Sequence, residues 1–292
     1  MRMIFIFIDG FGIGENDPEK NPYIAANTKS FDDLIKRYGV YITDATLGVE
    51  GLPQSATGQT TIYTGINASK AIGRHWSARP TQALSDLIMQ DNLFISMKNN
   101  GHTVTFANVY TTEYLEQMEK KPRGIFKPSV TTLLCLSSQT PLRVLDDYQK
   151  GQGVFHDITG RKLVEHGYDI PLIAPTQAAE NLYRVSREYD LTLFEFFMTD
   201  LAGHSMDAGK AIYELELLDQ MLGRLVQLMD LKEDVILITS DHGNIEDRTV
   251  KTHTLNPVPT IIAGESVNRG TLTIQSLMDI KPAILQIFRG HE

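Results

Sequence analysis

The sequence predicts an α/β protein: a three-layer α/β/α sandwich around a mostly parallel central sheet, with a small inserted cap. Three observations carry that expectation. Short, continuous apolar runs read as strands buried on both faces. Helical stretches alternate with them. Several of the runs stop at Asp-bearing turns, the edge at which open α/β sheets hold their ligands.

Taken in order, residues 4–8 are rich in Ile and Phe and end at Asp9-Gly10-Phe11-Gly12. A helical stretch over 31–38 precedes a strand expected at 40–43. Pro53 and Ser55 can open a helix, with Ser as its N-cap. Further strands are expected at 103–108, at 191–199 ending on Asp200, and at 235–239 ahead of Ser240-Asp241-His242-Gly243. Between the last two, Leu215, Leu218, Leu222, Leu225 and Met229 step by three or four and give a helix over 211–229 with one buried stripe, capped by Asp207.

Residues 111–175 break this rhythm with Lys120-Lys121-Pro122-Arg123-Gly124, Lys127-Pro128, Thr140-Pro141 and Gly151-Gln152-Gly153, and carry a single apolar run at 130–136. The segment reads as a small cap inserted into a core built from 1–110 and 176–292. No internal repeat is evident.

Composition narrows the function. The chain has 292 residues, with 27 Lys and Arg against 36 Asp and Glu, a net charge of −9 that argues against a general nucleic-acid or anionic-membrane binder. An anionic ligand would have to be held by metals or a few placed cations. Cys135 is alone, so an intrachain disulfide and Cys-rich zinc modules are excluded, which fits a reducing cytoplasm. The first apolar run ends in Asp-Gly without a small-residue cleavage site, and no run approaches the roughly 18 apolar residues of a membrane span. The expectation is a soluble, unexported, cytoplasmic protein.

The chemistry-bearing residues come in separate pieces: Asp9, Asp200 with His204, Asp241 with His242, and His253. Alone, each reads as a turn, a helix cap or a surface His. Together, all at sheet-edge positions, they suit a two-metal site, and a spacing of four puts Asp200 and His204 on one side of a helix. Ser55 supplies a candidate nucleophile, because a helix N-terminus favours an incoming phosphate and a metal or a base can activate the hydroxyl.

The order Asp9, Ser55, Asp200-x-x-x-His204, Asp241-His242-Gly243, His253 resembles the alkaline phosphatase superfamily of two-metal enzymes. Ser240-Asp241-His242-Gly243-Asn244-Ile245-Glu246, followed by His253-Thr254-Leu255-Asn256-Pro257-Val258-Pro259, is most similar to the branch of cofactor-independent phosphoglycerate mutase and phosphopentomutase. Ser55-x-x-Gly58 resembles that branch's nucleophile turn, and Thr64-Gly65 resembles a turn of the phosphodiesterase branch. The resemblance covers residues 1–65 and about 190–263. It implies an alkaline phosphatase-like fold, one ion held by Asp200, His204 and His253, and a second held by Asp9, Ser55, Asp241 and His242. It further implies a phosphoseryl intermediate on Ser55. The oxygen and nitrogen ligands suit Mn²⁺ or Zn²⁺.

The large inserted domain of such mutases has no counterpart here, so hydrolysis of a small phosphomonoester or phosphodiester is the leading expectation, with a phosphomutase as the alternative. A non-catalytic, metal-stabilised binding protein is a third reading. Sulfatase chemistry is disfavoured, because Ser55-Ala56-Thr57-Gly58 lacks the Pro and Arg of the sulfatase motif. Gln59, Arg74 and His75 are candidate substrate contacts, with Asn67 and Arg79 nearby and Lys251 close to His253, although solvated surface charge is the common fate of such residues. Trp76 reads as packing, and His102, His156 and His166 match no motif. The expected partner is a small phosphorylated substrate; the oligomeric state stays open.

Overall fold

The computed structural model describes residues 1–120 and 122–290; Lys121 of the basic stretch and the last two residues of the second core segment lie outside the described residues. The principal elements are β1 (Met3–Ile8), α1 (Lys29–Tyr38), β2 (Tyr41–Thr43), α2 (Ser55–Thr64), α3 (Gln82–Gln90), α4 (Leu93–Asn99), β3 (Val104–Phe106), β4 (Val109–Tyr110) and α5 (Thr112–Lys120). They continue with α6 (Val130–Ser137), β5 (Arg143–Val144), α7 (Pro175–Ser186), β6 (Leu191–Phe196), α8 (Met198–Ser205), α9 (Ala208–Leu228), β7 (Val235–Ser240), β8 (Val258–Ala263) and α10 (Ile280–Arg289).

Six strands form the main sheet in the order β2-β8-β7-β1-β6-β3. β1 pairs in parallel with β6 and β7, β3 pairs in parallel with β6, and β8 runs antiparallel to both β7 and β2. The all-apolar run of β1 is explained by burial on both faces. Met3, Phe5 and Phe7 join one core with α2, α3, α4, α6 and α10, whereas Ile4, Ile6 and Ile8 join a second with α1, α7 and α9. This is the expected three-layer α/β/α sandwich. The stripe Leu215, Leu218, Leu222, Leu225 and Met229 is buried in the second core, and the Asp207 carboxylate accepts the Lys210 N–H at 3.1 Å to start α9.

Some boundaries move. The strand expected over 191–199 ends at Phe196; the chain turns at Phe197 and enters α8, so Asp200 lies in the first turn of a helix. Ser55 is the first residue of α2, after Gln54 as N-cap, rather than the cap itself. The apolar run at 130–136 is α6, and its Val130, Leu134 and Cys135 pack into the main core. Part of the segment 111–175 thus shares the main core. Within that segment, Tyr148, Phe155 and Leu163 gather with Val109 into a smaller satellite core. Among the described residues, no helix is long and apolar enough to cross a membrane.

Candidate metal centre

The parallel register sets Ile8 opposite both Phe196 and Ser240, so Asp9 and Asp241 leave the sheet side by side and α8 begins next to them. Gly10 makes the turn after β1 with φ +68°, and a Cβ there would stand 2.8 Å from Asp200 Oδ1. Only glycine combines that backbone with that approach. α8 then realises the four-residue spacing, with His204 Nε2 lying 3.4 Å from Asp200 Oδ2.

Seven sequence-predicted residues meet here. His253 Nε2 is 3.5 Å from Asp200 Oδ1 and 3.3 Å from His204 Nε2. His242 Nε2 lies 3.3 Å from Asp9 Oδ1, 3.7 Å from Asp241 Oδ2 and 3.0 Å from the Ser55 hydroxyl. Two groups have ligand atoms within 4.8 Å of one another: Asp200, His204 and His253, and Asp9, Asp200 and His242. The first is the trio implied for one ion. In the second, Asp200 stands where the resemblance implied Asp241, which lies just behind and is held by the Gly10 N–H at 3.4 Å and the Gln59 amide at 3.3 Å. Gln59 thus steadies a carboxylate of the cluster.

The tautomers fit a cation. His204 Nδ1 pairs with the Lys251 carbonyl at 2.9 Å and His253 Nδ1 with the Pro53 carbonyl at 2.8 Å. A carbonyl only accepts, so each Nδ1 carries the hydrogen and the two Nε2 atoms face each other. With both rings neutral, two lone pairs would meet there, a pairing that a cation between them relieves. Imidazole ligands of metals characteristically donate their other N–H in this way.

The charges fit as well. Burial, and next the Asp241 charge, push Asp9 up to about 8, and burial raises Asp241 to about 6. Burial pulls His242 down, but the carboxylates of Asp241 and Asp9 outweigh it and hold the imidazolium up to about 10. Burial and the His242 charge take His253 down to about 4. Asp9 Oδ1 is buried and accepts no hydrogen bond. Crowded buried carboxylates need compensating positive charge, and divalent ions supply it.

Several supporting residues were not singled out from the sequence. The Asn244 amide donates to Asp200 Oδ1 at 2.7 Å. Buried Glu246 accepts the Gly12 N–H at 3.0 Å, the Asn244 N–H at 2.7 Å and the Asn256 amide at 3.0 Å, tying the turn after β1 to the β7–β8 connection. Glu195, buried within β6, accepts the Tyr63 hydroxyl at 2.9 Å and that of Thr131. The visible signal for Glu195 was a lone acid inside an otherwise apolar strand. The remaining substrate candidates lie differently: exposed Arg74 stacks on Trp76 at 4.6 Å, and His75 commits its ring nitrogens to Ser69 at 3.0 Å and the Val49 carbonyl at 3.1 Å.

A model of the Metalloenzyme superfamily matches residues 1–291. The chain belongs to the Metalloenzyme superfamily. Curated relatives include 2,3-bisphosphoglycerate-independent phosphoglycerate mutases. The protein of that name from Desulforudis audaxviator is 32% identical over 127 residues, covering 41% of this chain and 25% of the relative. That from Mesomycoplasma hyopneumoniae is 25% identical over 230 residues, covering 71% and 44%. The chain thus spans less than half the length of these relatives. Among solved structures, the PH0037 protein from Pyrococcus horikoshii aligns with a TM-score of 0.64 at 16% identity, over 100% of this chain and 97% of the other. Alkaline phosphatase from the Antarctic bacterium TAB5 aligns at 0.58 and 12%, over 99% and 97%. These likenesses show that the superfamily member has an alkaline phosphatase-like fold, and its ligand-rich sheet edge matches the superfamily's divalent-metal chemistry.

Proposed function

We propose that this chain is a two-metal phosphoryl-transfer enzyme that hydrolyses a small phosphomonoester or phosphodiester through a phosphoseryl intermediate on Ser55. The observation that carries the reading is the Ser55 hydroxyl at the start of α2, 3.0 Å from His242 Nε2, where the first turn of the helix faces the ligand cluster. One ion would be held by Asp200, His204 and His253, and the other by Asp9, Ser55, Asp241 and His242, with Mn²⁺ and Zn²⁺ suited to these donors. When bound, such ions acidify a hydroxyl or a water and neutralise developing phosphate charge.

The chain's own residues do the rest. The positive end of the α2 dipole, at the Ser55 end of the helix, favours phosphate oxygens. Ser55 Oγ forms the new P–O bond as the bond to the substrate's alcohol breaks, and its proton departs to solvent. The departing alcohol oxygen takes up a proton from solvent; water then attacks the phosphoserine phosphorus, the bond to the serine oxygen breaks and that oxygen is reprotonated, releasing phosphate from a monoester or a phosphomonoester from a diester. Asn244 and Gln59 keep Asp200 and Asp241 from rotating away.

A phosphomutase is the alternative, favoured by the names of the curated relatives. A panel of phosphomonoesters, phosphodiesters and sugar phosphates with added Mn²⁺ or Zn²⁺ decides the matter. Free phosphate from a monoester, or an alcohol and a phosphomonoester from a diester, is expected; a positional isomer without hydrolysis would instead establish the mutase. Ser55→Ala should lower turnover on the order of 10⁴-fold, with metal content retained. Unchanged turnover in that variant would remove Ser55 from the chemistry.

A further inference from the structure

Beyond the ends of β3 and β6 lies a cavity of about 320 Å³ whose walls include Arg79, Tyr110, Tyr114, His156, Glu195 and Phe197. Its lining reaches the element that carries two of the proposed ligands through Phe197. The Glu195 carboxyl feels the charge of Asp9, and Phe197 caps α8, which carries Asp200 and His204. The Arg79 wall is strapped to the start of α2: the Trp76 indole donates to the Arg79 carbonyl at 3.0 Å, and the Trp76 carbonyl accepts the Thr57 N–H at 3.2 Å.

The walls are flat and aromatic. Tyr110 and Tyr114 stack with centroids 5.6 Å apart and planes 22° from parallel, and Arg79 lies 5.9 Å over Tyr114. The His156 ring sits 5.5 Å from that of Phe197. Much of the polar lining is already committed. Glu195 is occupied by Tyr63 and Thr131, Tyr110 by Thr132 at 3.0 Å, and one Arg79 N–H donates to the Ile125 carbonyl at 2.8 Å. His156 Nδ1 is shielded from solvent without a partner, and burial lowers that imidazole to about 4, keeping it neutral. A cavity at the small end of the ligand-site range, with aromatic walls and few convergent polar groups, suits a ring. A compact polyanion would need several cations, yet Arg79 shares this lining with an acid, Glu195.

We propose that this cavity receives the alcohol part of the substrate and selects a planar aromatic or heteroaromatic ring over a small polar acid such as glycerate. The proposal rests on the phosphoryl-transfer reading of the Ser55 site.

The test compares binding of phenylphosphonate, methylphosphonate and 3-phosphoglycerate to the Mn²⁺-loaded protein by calorimetry, alongside hydrolysis of phenyl and methyl phosphate. Phenylphosphonate should bind at least tenfold more tightly than the other two. Tyr114→Ala should erase most of that preference and Tyr114→Phe should keep it, with the same trend in the phenyl-to-methyl ratio of kcat/KM. Tyr114 lies on α5, a helix without fully buried side chains, so the variant leaves the core intact. Equal binding of the two phosphonates, tighter binding of 3-phosphoglycerate, or a preference indifferent to Tyr114→Ala overturns the proposal, even if Ser55 proves to be the nucleophile. Ring-dependent binding without hydrolysis of any ester would overturn the phosphoryl-transfer reading and leave the cavity as a ring site.

Discussion

His253 Nε2 stands 3.3 Å from His204 Nε2, each ring fixed from behind by a backbone carbonyl. The arrangement suits a cation held by both rings. Elemental analysis should therefore find close to two Mn or Zn per chain, and His253→Ala should lose about one of them with a large fall in rate. Chelation should abolish turnover, and restored metal should return it. A folded, metal-free, fully active protein would refute this assignment.

Gly58 sets two known effects against each other. In a helix interior, Gly→Ala ordinarily stabilises by about 1 kcal/mol. At this position the added Cβ would lie 2.8 Å from Cβ and the carbonyl oxygen of Asp241. Overpacking costs about 1–3 kcal/mol, so Gly58→Ala should lower the melting temperature and weaken metal uptake. A stabilised variant with intact metal content would show that α2 does not press on Asp241 in solution.

Glu195 gives the metal-free protein a pH signature. Burial is the main cause of its rise to about 7, with Asp9 adding to it, against the hydrogen bonds from Thr131 and Tyr63. Between the ordinary carboxyl range and about 7 the unfolded chain has lost this proton while the folded chain keeps it. Stability from this group therefore falls as pH rises through that window. Glu195→Gln should remove the slope and be more stable at pH 8, by on the order of 2–3 kcal/mol. Denaturant titrations of chelated protein across pH would expose an unchanged slope, which would contradict the account.

The packing of α6 makes a prediction about domain structure. Leu134 is fully buried in the core shared with α2 and α3. Leu134→Ala should cost about 2–5 kcal/mol and lower the melting temperature of the whole molecule in a single transition. A separate early transition that spares metal binding would indicate an independently folding cap.

The sheet and its long amphipathic helix were legible because burial on two faces or on one stripe leaves periodic marks in the sequence. β1 and α9 appear almost where the pattern places them. The end of β6 did not, because Phe197, Met198 and Thr199 continue the apolar run while the backbone changes from strand to helix, and periodicity over so few residues cannot register the switch. The ligand residues were visible as a set, since Asp and His clustered at strand ends have a chemical reason to be there. The roles of Asn244, Gln59 and Glu195 were not, because each depends on a partner far away in sequence. α6 misled for a related reason: an isolated apolar run does not reveal which core it joins.

The three adjacent strands β6, β1 and β7 carry a temporal consequence. Asp9 precedes most of its neighbours at the site by about 190 residues or more, since they come from residues 200–204, 241–242 and 253. Closing such long loops precedes any reward from the contacts they enable. Asp9 and Asp241 therefore come together only when β7 docks beside β1, and the electrostatic cost of crowding these acids falls late in folding.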